Sequence, residues 1–329
     1  MPDTTTTSIS QASQNYLSVP FLSRAYPRFV HPLFGQVRDI PINNTTTIRF
    51  RKYGSLTAAT TALSEGVTPV SSQISNTDIT AIALQYGNWV ELTDWLKMTT
   101  QDAKLGYLTE ISEVLGDNMG DTLDQLTATV LSAGTTIQYA QGVAGRSSVA
   151  AGMYLTRNEV IEATTTLLNN NAKYMREYIK ASDGFNTSPI MDSFIGIISP
   201  NTYRTLRDEP GWIPVSEYGN PNDRISPAEV GSLEDVRFLV TTNAVKFAAA
   251  GSGGIDVYST IIFGQEWYGV TRISGHEVEI ITKTPTNNDT NTGDPLSQRN
   301  TMGWKISYVP TILQQAFGIR VEHAVHTGN

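Results

Sequence analysis

The sequence predicts an α+β protein, and three observations predict it. A single apolar stripe recurs at helical spacing over about thirty residues near the middle of the chain. Before it, two alternating strands flank a long polar excursion. After about residue 183, short apolar runs separated by turns replace the helical pattern.

Composition sets the limits. The chain has 329 residues, enough for one large domain with excursions or for two domains. Hydrophobic residues make up 40%, sufficient for a core, while charged residues make up only 16%. Threonine and other small polar residues fill the difference, which excludes a coiled coil and a charge-rich disordered chain. Lys and Arg number 23 against 31 Asp and Glu, a net charge of −8. Such a chain has no overall attraction for nucleic acid. Without cysteine there is no disulfide, thiolate metal site or cysteine nucleophile, and four histidines leave few candidates for histidine chemistry. The start, Met-Pro-Asp followed by Thr4–Thr7, is neither basic nor apolar, and no run approaches a membrane span. The expectation is a chain that stays in the cytoplasm where it is made, without a lipid anchor.

Residues 1 to about 19 read as a polar, flexible tail. Next come Phe21, Leu22, Tyr26, Phe29, Val30, Leu33 and Phe34, punctuated by Pro20, Pro27, Pro32 and Pro41. Prolines at that density oppose a helix or a central strand. The segment must therefore lie extended, either as a strap over its own core or as an arm gripping a neighbouring subunit. In 47–53, Ile48 and Phe50 alternate with Arg49 and Arg51, which marks a half-buried strand. A partner strand begins near Asp78, with Ile82, Leu84 and Tyr86 on one face, followed by Trp89 and Val90. The excursion from Ser55 to Thr77 is too long for a hairpin turn and reads as a projecting loop.

The long helix is predicted over about 100–133, capped by Thr99 or Thr100, with Asp102 in its first turn. Leu108, Ile111, Leu115, Met119, Leu123, Leu126 and Val130 form its stripe, and Gly134 stops it. Gly106, Gly116 and Gly120 weaken it by about 1 kcal/mol each. A second helix is predicted from Thr156 to Ile179, with Thr156 and Glu159 as a capping box. Strands are expected at 194–198, 236–240, 255–263, 269–273 and 278–281. A short helix is expected after Ser199-Pro200. Trp304-Ile306-Tyr308 and Phe317-Ile319-Val321 close the chain as strands alternating with polar neighbours.

Catalytic signatures are lacking. His323 and His326 are three apart but follow a strand and lack a third ligand. The stretch 287–294 has its glycine misplaced for a calcium loop and no closing glutamate. Gly251-Ser252-Gly253-Gly254 lacks the lysine of a phosphate loop, and no Gly-x-Ser-x-Gly elbow is present. The Asp208-Glu209 and Glu234-Asp235 pairs read as solvated turns. The clearest charge feature is Arg49, Arg51 and Lys52. Beside the reading as a solvated strand face stands ion pairing with Glu65, Glu91 or Asp94 of an adjacent subunit. It does not read as a DNA site.

Several blocks, in order, resemble the major capsid proteins of tailed bacteriophages, and most of all the branch typified by phage N4. They are Phe34-Gly35-Gln36 with 47–53, 56–69, Ile79 through Trp89-Val90-Glu91 to Asp94, and Glu229-Val230-Gly231 with Val236-Arg237-Phe238. Val257-Tyr258 through Phe263-Gly264 to Tyr268-Gly269-Val270 and the closing Gly303-Trp304-Lys305 and Ile319-Arg320-Val321-Glu322 complete them. The resemblance implies the Hong Kong 97 (HK97) capsid fold. It implies an N-terminal arm at 1–46, an extended loop with its strands at 47–94, and a peripheral domain with a spine helix at 95–184. An axial domain follows at 185–292 and return strands at 293–329. It implies self-assembly into pentamers and hexamers of an icosahedral shell around double-stranded DNA, aided by a scaffolding protein, a portal and a cement or decoration protein. The encapsulin shell of bacterial nanocompartments shares this fold and is the alternative. No enzyme activity, cofactor or metal is expected. The residues expected between subunits are Phe21, Tyr26, Phe29 and Phe34 of the arm, Arg49, Arg51, Lys52 and Glu65, and Trp89 and Glu91.

Overall fold

The computed structural model describes residues 21–25, 29–41, 45–54, 56–63, 65–66, 68, 70–93, 106–175, 192–218, 224–273, 278–283 and 298–326. Outside them lie the Thr-rich start, Tyr26, Asp94, the Thr99–Asp102 cap, the 287–294 loop and the second helix beyond residue 175. In chain order the elements are β1 (Gln36–Ile40), β2 (Thr47–Tyr53), β3 (Asn76–Ile82), β4 (Leu84–Thr93), α1 (Gly106–Ser132), β5 (Ile137–Tyr139), α2 (Arg157–Asn169), β6 (Phe194–Ile198) and α3 (Pro200–Leu206). There follow β7 (Ile213–Pro214), β8 (Glu229–Leu233), β9 (Val236–Val240), β10 (Lys246–Phe247), β11 (Val257–Phe263), β12 (Tyr268–Ile273), β13 (Glu279–Lys283), β14 (Arg299–Ile312) and β15 (Gly318–His323).

Three sheets result. A five-stranded sheet runs β1-β12-β14-β13, with β4 also on β14; an eight-stranded sheet runs β5-β15-β11-β6-β9-β8-β7, with β10 on β11; β2 and β3 pair alone. The strand pairing runs across the expected domain ranges. β12 and β13, placed by sequence in the 185–292 lobe, hydrogen-bond to β14 instead. β15, expected among the return strands, joins β11 of the larger sheet, and β5 joins β15.

The stripe of α1 faces inward as predicted. Leu115, Met119 and Leu123 are buried in one cluster with Met302, Trp304 and Ile306 of β14, and Leu126 is partly buried against it. At about 1.5–3 kcal/mol per buried side chain, this layer is a main source of stability. The larger sheet is covered on both faces. Ile195, Ile197 and Phe263 join the α1 cluster, whereas Phe194, Ile198 and Ile262 join a second core with Val160 and Leu167 of α2 and Leu206 of α3. A strand in the middle of such a sheet has no wet face, so β15 is buried at all six positions, not half-buried as its alternation suggested.

α2 ends at Asn169, ten residues before the expected Ile179. Asn171 turns the chain with φ of 58°, a conformation asparagine tolerates better than most residues. Thr156 stands at the N-cap, but its side chain makes no capping bond. Glu159 instead accepts from the Gln141 N–H and from Gln138 Nε2, drawing the 138–141 turn onto the helix. At α3, Ser199 Oγ accepts from the Thr202 N–H, as the Ser-Pro pair predicted.

Candidate inter-subunit surface

The β2–β3 hairpin is largely exposed. Its strands pair antiparallel from Thr47↔Ile82 to Tyr53↔Asn76, and the Gly54 N–H closes the loop onto the Ser75 carbonyl at 2.8 Å. Beyond that bond the described loop residues are exposed, Leu56, Leu63, Val70 and Ile74 among them, with Val70 at 96%. One side chain ties the hairpin down. Phe50 is buried against the bare Cα of Gly269, where a Cβ would come within 3.1 Å of its ring. The Arg38 guanidinium covers that ring at 5.5 Å from its centroid. Arg51 pairs with Asp78 directly across the hairpin at 3.0 Å. The Arg51 hydrogen bond holds the Asp78 carboxyl below its ordinary range.

This arrangement corrects one expectation. Arg51 is engaged within its own hairpin, and Glu91 pairs with Arg299 of the same chain at 3.1 Å. Neither ion pair needs an adjacent subunit. Arg49, Lys52 and Glu65 are exposed. Trp89 is 60% exposed and stands in register with Gly303 and Ile281 across β4, β14 and β13. The bare Gly303 leaves a shallow groove of about 340 Å³ between Trp89 and Ile281.

The arm is corrected more strongly. Residues 21–25 form a helical turn between Pro20 and Pro27. Phe21, Ala25, Val30 and Phe34 are buried in the α1 cluster, and Phe29 packs against it partly buried. Phe21 and Phe34 therefore belong to the strap over the chain's own core and are not free to grip a neighbour. Two devices seat the strap. Gly116 of α1 lets the Phe21 carbonyl approach so closely that a Cβ there would lie 2.3 Å from the oxygen. Arg24 pairs with Glu113 at 2.7 Å and lies 3.8 Å from Asp117.

Asp124 is the hub the sequence reading missed. Its Oδ1 accepts from the Val30 N–H at 3.1 Å, the His31 N–H at 2.7 Å and His31 Nδ1 at 3.0 Å. Its Oδ2 accepts from Thr241 Oγ1, at the end of β9, at 3.1 Å. The Tyr268 hydroxyl donates to the His31 carbonyl. Burial pushes the Asp124 carboxyl up, but the hydrogen bonds and charge of His31 and the backbone N–H groups outweigh it and hold the group below its ordinary value. One carboxylate thus joins strap, spine helix and larger sheet. The available signal was an acidic residue on the inward face of a helix, four positions before the buried Ala128 and one after the buried Leu123.

Two further buried ion pairs lie in the larger sheet. Arg237 and Glu229 meet at 2.6 Å across β8 and β9. Arg146 grips Glu322 through both nitrogens at 2.7 Å, with its guanidinium 3.4 Å from the Phe247 centroid, and Arg320 lies 2.9 Å from the same carboxylate. These charges brace the fold against one another. His323 is fully buried, its Nε2 by Thr260 Oγ1 and its Nδ1 by the Ala324 carbonyl; burial pushes its pKa down to about 4. His326 Nδ1 lies by the Tyr154 hydroxyl at 3.2 Å. Among the described residues, no group of three His, Asp or Glu side chains is placed to hold a metal, and no helix is long and apolar enough to cross a membrane.

The sequence model of the family described as phage capsid protein matches residues 76–321. None of the curated proteins matches the chain. Among solved structures, the capsid of Ralstonia phage GP4 superposes with a TM-score of 0.70 at 14% identity, covering 92% of this chain and 91% of that one. The capsid of cyanophage P-SCSP1u gives 0.61 at 13% identity, covering 89% and 87%. The holo-SrpI encapsulin complex of Synechococcus elongatus PCC 7942 gives 0.57 at 6% identity, covering 92% and 89%. At such identities these structures share a fold with the chain, and that fold is HK97-like.

Proposed function

From a chain that belongs to the phage capsid protein family and has an HK97-like fold, we infer the following role. The protein is the major capsid protein of a tailed double-stranded DNA bacteriophage, of the branch typified by phage N4. It closes with its own copies, as pentamers and hexamers, into an icosahedral shell assembled in the host cytoplasm. A scaffolding protein and a portal guide that assembly, and cement or decoration proteins can cover it. The DNA is enclosed without sequence-specific binding, as the net charge of −8 favours. The shell does no catalysis and needs no cofactor.

The family match over residues 76–321 carries this reading. The geometry supports it, because Leu56, Leu63, Val70 and Ile74 of the 54–75 loop are exposed large apolar side chains among the described residues. The axial part is the eight-stranded sheet, and the peripheral part is α1 with the five-stranded sheet. Arg49, Glu65, Trp89 and the loop are the contacts offered to neighbours. Repeated modest contacts around a closed shell add up by multivalency. An encapsulin-like nanocompartment shares the fold, but the family match favours the phage shell.

Negative-stain imaging of the purified protein, expressed with and without its phage's scaffold, tests this. Shells of phage size support the reading. Small uniform cages filled with a cargo enzyme favour the nanocompartment, and a protein that stays monomeric under both conditions refutes both.

A further inference from the structure

Between the root of the exposed hairpin and the body lies a groove of about 680 Å³. Arg38, Arg51, Lys52 and Lys173 line it, with Glu266 as the only carboxylate among the lining residues. All four cations are exposed; Arg51 is held by Asp78 at 3.0 Å, so Arg38, Lys52 and Lys173 are the cations offered to a ligand. The concentration is anomalous: the chain as a whole carries a net charge of −8. The groove's apolar floor comes from Phe50, Leu313 and Phe317. Among the described residues β1, which supplies Arg38, is an edge strand paired on one side with β12.

We propose that this groove binds an extended acidic peptide segment of a protein other than this chain. It goes beyond the pairing of identical subunits, and three arguments carry it. Cations around an apolar floor fit carboxylates alternating with apolar side chains, as an extended strand presents them. The open edge of β1 can satisfy the backbone of such a strand. β1 has five residues, so the matched segment is about 17 Å long at about 3.3 Å per residue. A second copy of this chain is a poor occupant. Its own alternation of carboxylates with apolar residues, Glu277-Val278-Glu279-Ile280, leads into β13, which is paired to β14 with Glu279 held by Lys305 at 2.9 Å. Duplex DNA is also disfavoured, since the surrounding negative chain repels it and phosphate binding has no use for an apolar floor.

The test uses the full-length unassembled subunit and a fluorescein-labelled peptide of alternating glutamate and leucine, read by fluorescence anisotropy. The expected result is saturable binding that weakens at least tenfold in the Lys52→Glu/Lys173→Glu double variant. Arg204→Glu, an exposed charge on α3 away from the groove, should change it less than twofold. Circular dichroism of each variant confirms folding. No binding, binding indifferent to the double variant, or displacement of the peptide by a short DNA duplex at equal charge each overturns the proposal. Failure here leaves the shell-forming role intact, since imaging of assembled particles tests that separately.

Discussion

Replacing Asp124 by alanine removes one acceptor from four donors: two backbone N–H groups, His31 Nδ1 and Thr241 Oγ1, at 2.7 to 3.1 Å. All of them lie in the interior, where water does not replace the lost partner. Each buried donor left unsatisfied costs about 1–3 kcal/mol. Hydrogen bonds to a charged group contribute about 1.5–3 kcal/mol each. The contributions overlap, so the expected loss is about 3–5 kcal/mol in urea unfolding of the unassembled subunit. Asparagine keeps an oxygen for the backbone donors and should cost less, about 1–3 kcal/mol. The loss should have an address. The strap hangs on this carboxylate, so tryptic cleavage at the exposed Arg24 should accelerate well before global unfolding. The pH dependence follows from the lowered Asp124 value. Its stabilisation is fully present above the unfolded carboxyl value near 3.9 and is lost as pH falls through the lower folded value. Asp124→Asn should therefore flatten the acid limb below about pH 4. An alanine variant within 1 kcal/mol of the parent, with unchanged cleavage at Arg24, would refute the hub.

Gly116→Val should displace the Phe21 carbonyl that touches the helix backbone. Hydrogen exchange at residues 21–25 should then rise while α1 beyond Met119 stays protected, and unchanged protection of the strap would contradict the close contact. Phe50→Ala should cost about 3–5 kcal/mol if the pocket does not collapse. It should also release the hairpin from Gly269, so proteolysis in 54–75 speeds up and particle yield falls; normal shells from this variant would show that the anchor is dispensable. His323, buried with a pKa near 4, is bound neutral in the folded protein. Unfolded histidine takes up a proton below about 6.5, so stability should fall between pH 6.5 and 4, by up to about 3 kcal/mol. His323→Gln should remove that part of the slope, and an identical slope in both proteins would mean another group titrates there.

Periodicity and punctuation determined the local elements. The α1 stripe, the β2 alternation, the projecting loop and the Ser-Pro start of α3 all follow from residue spacing, because those patterns reflect which face of a single element meets the core. Ordered blocks of residues also carried the resemblance to phage capsid proteins, which the family match bears out. What a neighbour in space decides was not readable. The prolines of the 20–41 segment fit an arm and a strap equally well, and only the bare Cα of Gly116 with the carboxylate of Asp124 made it a strap. The polar residues of β15 looked solvent-facing because alternation records polarity and not exposure, whereas Glu322 is buried by Arg146 from 176 positions away. Sheet membership of β12 and β15 depended on hydrogen bonds to distant strands, which local sequence does not encode. The groove beside the hairpin gathers its cations from β1, β2 and the turn after α2. Only the folded chain brings them together, and that convergence is what gives an acidic protein a basic site.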